Sequence, residues 1–100
     1  MVEVKWTDQA LDDIENIAEF IAKDSMKFAK VQTLRFFKSV EILEELPRAG
    51  RMVPELNIEE LRELIQGNYR IIYQIISKNR IDIITVHLSR RLLSNNPLFE

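Results

Sequence analysis

Hydrophobic and polar positions follow two different periods along this chain. The first segment, from Val2 to Trp6, alternates apolar and polar side chains and predicts a half-buried strand. Apolar side chains then recur at helical spacing from Leu11 to Ala22, with acidic and amide side chains filling the opposite face. This spacing predicts an amphipathic helix over residues 8–23.

A second helical pattern follows after a very short join. Ser25 is a candidate N-cap, and the helix is expected to continue to about Leu46, where Pro47 and Gly50 end it. Because so few residues connect the two helices, they are expected to form an antiparallel hairpin. The apolar positions along the second helix are Phe28, Val31, Leu34, Phe37, Val40 and Leu43.

The period changes to two in the second half of the chain. Residues 61–65, 69–76 and 80–88 are rich in Ile, Leu, Val and Tyr, and each segment predicts a strand. The connections between them are short, so the three strands are expected to form an antiparallel meander. A loop over about residues 48–59 precedes them, and a short tail is expected to end the chain.

The predicted order is β-α-α-β-β-β, an α+β fold in which the helix hairpin packs on one face of a mainly antiparallel sheet. No linker or repeat divides the chain, so residues 1–100 are expected to form a single domain. The last two strands are apolar on both faces, and either the loop and tail or a partner covers the second face. On these strands Ile71 and Ile75 alternate with Ile72 and Ile76, and Ile81 and Ile83 alternate with Ile84 and Val86.

Composition excludes several classes of function. The chain has no Cys and His87 is its one histidine, so no disulfide, thiol nucleophile, metal site or other cofactor is expected. The net charge of −2 argues against a general nucleic-acid coat. No apolar run approaches the roughly 20 residues of a membrane span, and no signal-peptide core begins the chain, so a cytoplasmic protein without membrane contact is expected. The acidic pairs Asp12–Asp13 and Glu44–Glu45 are expected on solvated helix faces.

Arginines are the remaining candidates for chemistry. An arginine on an apolar strand requires a carboxylate partner or an anionic ligand, so two alternatives stand. The arginines and His87 converge on a cationic site that contacts phosphate, or Arg62 and Arg70 pair with nearby glutamates and hold the sheet together. The candidate phosphate- or target-binding residues are Arg51, Arg62, Arg70, Arg90 and Arg91.

Four motifs follow one another in an order and spacing that is more specific than any one of them. Residues 46–55 (LPRAGRMVPE) carry a Pro-x-x-Gly-Arg-x-x-Pro loop, and residues 62–65 (RELI) an arginine-bearing strand. Residues 67–73 (GNYRIIY) carry Tyr-Arg-x-x-Tyr, and residues 86–90 (VHLSR) carry Val-His-x-x-Arg. From Val4 to Leu93 the chain thereby resembles the RelE/ParE superfamily of toxins from bacterial type II toxin–antitoxin modules.

The resemblance implies a small growth-inhibiting toxin of the plasmid-stabilisation type, neutralised by a cognate antitoxin. RelE-like members cleave mRNA in the ribosomal A site, whereas ParE-like members inhibit DNA gyrase. Arg70 and Arg90 match arginines of RelE-like enzymes. However, Leu61 and Glu63 stand where those enzymes place lysines, and residues 92–100 lack their catalytic tyrosine.

These departures favour a ParE-like toxin that acts on DNA gyrase. The alternative is a metal-independent mRNA interferase acting at the ribosome, with His87, Arg70 and Arg90 as catalytic residues. A third possibility is an inert toxin fold that only binds its antitoxin, so enzyme activity is left open. Homodimer formation is left open as well.

An antitoxin is expected to bind the exposed side of the helix hairpin together with the strands over residues 69–88. Phe20 and Phe36 fall off the main apolar stripes of the two helices. They are therefore the candidate antitoxin-binding residues.

Overall fold

The computed structural model describes residues 1–89 and places five strands along one sheet in the order β1-β5-β4-β3-β2. Neighbouring strands are antiparallel except β1 and β5, which are parallel. This confirms the predicted α+β class and element order, with the short strand β2 added. The elements are β1 (Glu3–Trp6), α1 (Asp8–Ala22), α2 (Met26–Ser39), a 3-10 helix (Glu41–Glu44), β2 (Arg51–Met52), β3 (Leu61–Gln66), β4 (Tyr69–Ser77) and β5 (Arg80–Leu88).

Both helix starts are capped by hydroxyl side chains. The Oγ1 of Thr7 accepts a hydrogen bond from the backbone N–H of Ala10, and its own hydroxyl donates to the carbonyl oxygen of Ile83 at 2.7 Å. The Oγ of Ser25 accepts from the N–H of Phe28, as the sequence predicts. Thr7 therefore begins α1 and fastens it to β5 at the same point.

The second helix is shorter than the sequence predicts. It ends at Ser39, whose hydroxyl donates to the carbonyl oxygen of Phe36 at 2.8 Å and so competes with the helical backbone pattern. A 3-10 helix follows and turns the buried side chain of Leu43 into the core. The expectation of one helix to about Leu46 is therefore wrong.

The placement of Phe36 off the core is also wrong. Its ring is 1% exposed and meets the ring of Tyr69 edge-on, with centroids 5.1 Å apart. The helix carries two apolar stripes, and the sheet binds the one that contains Phe36, while Phe28 and Leu34 stay exposed. A side chain buried to this degree offers no surface to an antitoxin, so Phe36 is not a candidate contact.

The main core lies between the hairpin and the sheet. A β-bulge shapes it, because Thr85 pairs with Ile72 and Ile83 pairs with Tyr73, which leaves Ile84 without a partner on β4. Val86 therefore turns to the core side, whereas strict alternation predicts it on the opposite face. The buried core residues are Ala10, Ile14, Phe36, Val40, Leu43, Ile71, Tyr73, Ile81, Ile83 and Val86.

The loop between β2 and β3 crosses the second face of the sheet. Val53 and Leu56 pack against Ile72 and Leu61 in a small separate cluster. The loop therefore provides part of the cover that the sequence requires, as the first of the two alternatives predicts. The predicted tail lies outside the described residues.

Candidate functional site

The central arginine of the predicted site is bound by two glutamates. Arg70 lies on β4, facing away from the helix hairpin, and is 4% exposed. Its Nη1 and Nη2 donate to the two carboxylate oxygens of Glu55 at 2.6 and 2.8 Å. Its Nε and Nη2 both donate to one carboxylate oxygen of Glu63. The hydrogen bonds to Glu55, aided by Glu63, raise the pKa of Arg70 although burial opposes this.

Glu63 in turn connects two arginines. It lies on β3, is 1% exposed, and uses its second carboxylate oxygen to accept from the Nε of Arg51 at 2.7 Å. Arg51 is directly opposite Glu63 in the pairing of β2 with β3, and 63% of its side chain is exposed. The result is a chain of alternating charges from the buried Arg70 to the exposed Arg51.

A second group of ion pairs lies at the same edge of the sheet. Glu59 accepts from Arg48 at 2.5 Å and from the Nη2 of Arg62 at 2.7 Å. The Nη1 of Arg62 donates to the carbonyl oxygen of Gly50 at 2.9 Å. Arg62 therefore ties the β2–β3 loop to the turn that precedes β2.

Tyr73 explains the spacing of the Pro-x-x-Gly motif. Its hydroxyl donates to the carbonyl oxygen of Pro47 and accepts from the N–H of Gly50, each at 2.9 Å. A Cβ on Gly50 would lie 2.4 Å from the carbonyl oxygen of Glu63 and 2.7 Å from the Tyr73 hydroxyl, so only glycine fits. Burial raises the pKa of Tyr73, so its hydroxyl stays protonated and donates.

His87 lies on β5 directly opposite Arg70. Burial, reinforced by the positive charge of Arg70, lowers the pKa of His87. Its Nε2 is buried and has no hydrogen-bond partner within residues 1–89. The imidazole is therefore neutral near pH 7 and lies beside a guanidinium whose three nitrogens all donate to carboxylates.

The structure thus brings Arg51, Arg62 and Arg70 to one region but pairs each of them with a glutamate. The second alternative of the sequence, in which Arg62 and Arg70 hold the sheet through nearby glutamates, describes this geometry. Arg90 and Arg91 lie outside the described residues. Phe20 lies near the end of α1 with 70% of its surface exposed, and the Nζ of Lys23 stands 5.7 Å from its ring centroid.

Two contacts were not predicted from the sequence. Glu55 reaches Arg70 from the loop, 15 residues earlier, and only its place directly after Pro54 in the motif hinted at a role. Asp13 accepts from the N–H of Val86 at 3.0 Å and from the Thr85 hydroxyl, next to the bulge of β5. The expectation of a solvated Asp13 is therefore wrong, because the bulge turns backbone and side-chain donors towards α1.

Two features are absent from residues 1–89. No helix in this part of the chain has both the length and the apolar character needed to cross a membrane. The same residues contain no group of three or more His, Asp or Glu side chains arranged to hold a metal ion.

The chain matches a known protein family and has the same fold as solved structures. A family model described as the ParE toxin of a type II toxin–antitoxin system, parDE, matches residues 4–93. A structure of a chromosomal ParDE system from P. aeruginosa superposes with a TM-score of 0.72 and 18% identity, covering 88% of this chain and 96% of that one. The RelBE2 toxin–antitoxin complex from Mycobacterium tuberculosis gives a TM-score of 0.56 and 19% identity, covering 87% and 96%. No curated protein sequence matches the chain significantly.

Proposed function

Since the chain belongs to the ParE toxin family of type II toxin–antitoxin systems, we propose that it binds and inhibits bacterial DNA gyrase in the cytoplasm and that a cognate antitoxin neutralises it. The resemblance to the RelE/ParE superfamily found in the sequence motifs is confirmed by the family match. The target and the neutralising partner are the new elements of the proposal.

The observation that carries the gyrase proposal is that the clustered arginines form ion pairs with glutamates. An RNA-cleaving site needs cations that are free to meet the charge developing on a phosphate. Here Arg70 makes its hydrogen bonds to Glu55 and Glu63, and Arg62 makes its own to Glu59 and Gly50. Such a cluster stabilises the loop and the sheet, which suits a protein that acts by binding another protein.

The gyrase proposal is tested by a supercoiling assay with purified gyrase and purified toxin. Inhibition at micromolar toxin is the expected result. The variant Arg51→Ala is expected to inhibit gyrase less than the wild type does, because Arg51 is a candidate target-binding residue and the exposed end of the series of ion pairs. Arg80→Ala, which removes another exposed arginine at a different sheet position, is its matched control. Supercoiling that continues unchanged at micromolar wild-type toxin contradicts the proposal.

One observation favours mRNA cleavage as a second candidate. The neutral His87, whose Nε2 makes no hydrogen bond within residues 1–89, has the protonation state of a general base. Primer extension on translated mRNA distinguishes this activity from gyrase inhibition. Codon-positioned cuts that disappear in His87→Ala would establish it, whereas the gyrase proposal predicts no cuts for either protein.

The antitoxin is proposed to bind the exposed side of the helix hairpin and the strands over residues 69–88, with Phe20 as an aromatic contact. The support is the exposure of Phe20, whose ring adds an apolar surface to the mostly polar outer side of α1. Co-expression with the product of the adjacent small reading frame is expected to raise the yield of soluble toxin. Phe20→Ala is expected to weaken the purified complex, and equal solubility with and without that partner argues against the proposal.

A further inference from the structure

The outer side of α1 carries an acidic stripe. Four acidic side chains are spaced four, three and four residues apart and so share one face of the helix: Asp8, Asp12, Glu15 and Glu19. All four are exposed. The buried Ala10 and Ile14 lie on the opposite face, in the core shared with the sheet. The acidic stripe therefore points away from the sheet.

The outer side of α2 carries a basic stripe of the same length. Its members are spaced three, four and four residues apart and are all exposed: Lys27, Lys30, Leu34 and Lys38. The buried Ala29 and Phe36 lie on the opposite face. Between Met26 and Ser39 the helix contains no acidic residue, so nothing on α2 itself neutralises this stripe.

The two stripes do not neutralise each other within one chain. The helices lie side by side, yet neither of them takes part in any of the seven ion pairs found among the described residues. Mixing both signs on each helix would gain local pairs. The hairpin instead presents an acidic row and a basic row to its surroundings.

An apolar seam separates the two stripes. A groove of about 560 Å³ runs between the helices, and Ala18, Ala22 and Met26 are among the residues that line it. Met26 and Leu34, which also lines the groove, are 64% and 68% exposed. Apolar side chains at such a seam gain from contact with a second apolar surface.

We infer that two copies of the chain associate through this side of the hairpin into a symmetric dimer, with the acidic stripe of each copy against the basic stripe of the other. The four helices then form an antiparallel bundle, and the two apolar seams meet at its centre. The antitoxin is proposed to bind the same side of the hairpin, so the dimer is the form that the toxin takes without its antitoxin.

Symmetry and charge together select the arrangement. A two-fold axis that lies in the interface and runs parallel to the helices places α1 of each copy on α2 of the other. An axis perpendicular to the helices would place α1 on α1 and α2 on α2, which opposes like charges. A partner of a single charge sign would match one stripe and be repelled by the other, whereas a second copy supplies both signs in the required order.

The parallel axis also predicts which residues meet. It keeps the turn over residues 23–25 at the same end of the bundle in both copies. Glu19 and Lys30 lie at similar distances along the chain from this turn, so Glu19 faces Lys30 of the second copy. By the same argument Asp12 faces Lys38 of the second copy.

Sedimentation of the full-length toxin, purified without antitoxin, tests the dimer. A dimer is expected in low salt, and raising NaCl from about 50 mM to about 500 mM is expected to raise its dissociation constant at least about tenfold, because salt screens the stripes. A toxin that stays monomeric in low salt at about 100 μM overturns the inference. So does a monomer that binds heparin through Lys27 and Lys30, since the basic stripe then serves an anionic partner.

Charge reversal locates the interface. Glu15→Lys with Glu19→Lys makes both stripes basic, and Lys27→Glu with Lys30→Glu makes both acidic. Each double variant alone is expected to have a dissociation constant at least about tenfold higher than the wild type. An equimolar mixture of the two double variants is expected to form a heterodimer, because each acidic stripe again meets a basic one.

The quadruple variant, which combines all four substitutions in one chain, exchanges the signs of the two stripes and keeps the wild-type net charge. It is expected to dimerise again. Glu41→Lys with Glu45→Lys is the matched control, because it changes the net charge as much as the first double variant does but lies outside the stripes. A control that weakens the dimer equally, or a dimer indifferent to both double variants, overturns the inference. Failure of both the quadruple variant and the mixture to dimerise, with circular dichroism of the wild type, overturns it as well.

Discussion

Arg70 and Glu63 are the charged side chains that lie deepest among the described residues, and each depends on the other. Removing water from two opposite charges is costly, and the geometry here offsets that cost because both carboxylate oxygens of Glu63 and three nitrogens of Arg70 are bonded. Arg70 was a candidate for phosphate contact. Burial places Arg70 between two carboxylates, and Arg51 is the most exposed member of this ion-pair network.

Arg70→Ala is expected to lower the free energy of unfolding by about 3 kcal/mol, near the lower end for a broken buried pair because Arg51 still holds Glu63. Urea denaturation measures the change. Arg80→Ala is the control, since Arg80 pairs with Asp82 at the exposed start of β5 and its loss is expected to have little effect. A loss for Arg70→Ala no larger than for the control would show that the buried network contributes nothing to stability.

His87 gives stability a dependence on pH. Burial and the charge of Arg70 lower its folded-state pKa below the ordinary 6.5, against smaller opposing contributions from Asp13, Glu55 and Glu63. The unfolded chain therefore binds a proton at a higher pH than the folded chain. This contribution to stability is fully present above about pH 6.5 and is lost as the pH falls through the folded-state pKa.

Urea denaturation at a series of pH values between about 7.5 and 5.5 is expected to show this loss for the wild type. His87→Gln, which cannot titrate, is expected to show a shallower decline over the same range. Parallel declines for the two proteins would assign the effect to other groups.

At the scale of the elements, the sequence predicts where helices and strands begin better than it predicts which faces they bury. The first helix, predicted over residues 8–23, is found at Asp8–Ala22, because cap and amphipathic spacing agree there. In α2 two apolar stripes compete, and only the packing against Tyr69 and the core decides that Phe36 is buried and Leu34 exposed. Helical spacing alone carries no information on that choice.

The candidate site was predictable in part for a similar reason. The neighbouring glutamates were among the expected partners of Arg70, and Glu63 is one of them. Glu55 comes from a loop whose path depends on Val53 and Leu56 packing across the sheet. The bulge at Ile84 changes the face on which Val86 lies and brings the Val86 N–H to Asp13. An apolar run of residues does not indicate where such a bulge occurs.

The close contact of Gly50 with the sheet gives a prediction about stability. Gly50→Ala is expected to cost about 1–3 kcal/mol of unfolding free energy, because its Cβ would collide with the Glu63 carbonyl oxygen and the Tyr73 hydroxyl. Gly67→Asn is the matched control. Gly67 has a φ of +61° and open space around it, a backbone conformation that Asn tolerates. Equal losses in thermal or urea unfolding would mean that the space at Gly50 is not limiting.

At the scale of the whole molecule, the hairpin and the sheet share one core and are expected to unfold together. Trp6, the single tryptophan, reports on this because its ring meets the ring of Phe37 with centroids 4.9 Å apart and so joins β1 to α2. Urea transitions followed by tryptophan fluorescence and by helical circular dichroism are expected to have the same midpoint. A helical signal lost at lower urea would mean that the hairpin is a separate unit.

The pairing of β1 with β5 also determines when the sheet can be completed during translation. Glu3 is aligned with Arg80, so the first strand waits for a neighbour made 77 residues later. At roughly 5–20 residues per second, a ribosome takes roughly 4–15 seconds to supply it. During that interval the nascent chain lacks the strand that pairs with β1, so the sheet is incomplete. A cell that makes antitoxin on the same timescale therefore has the partner ready before the toxin has finished folding.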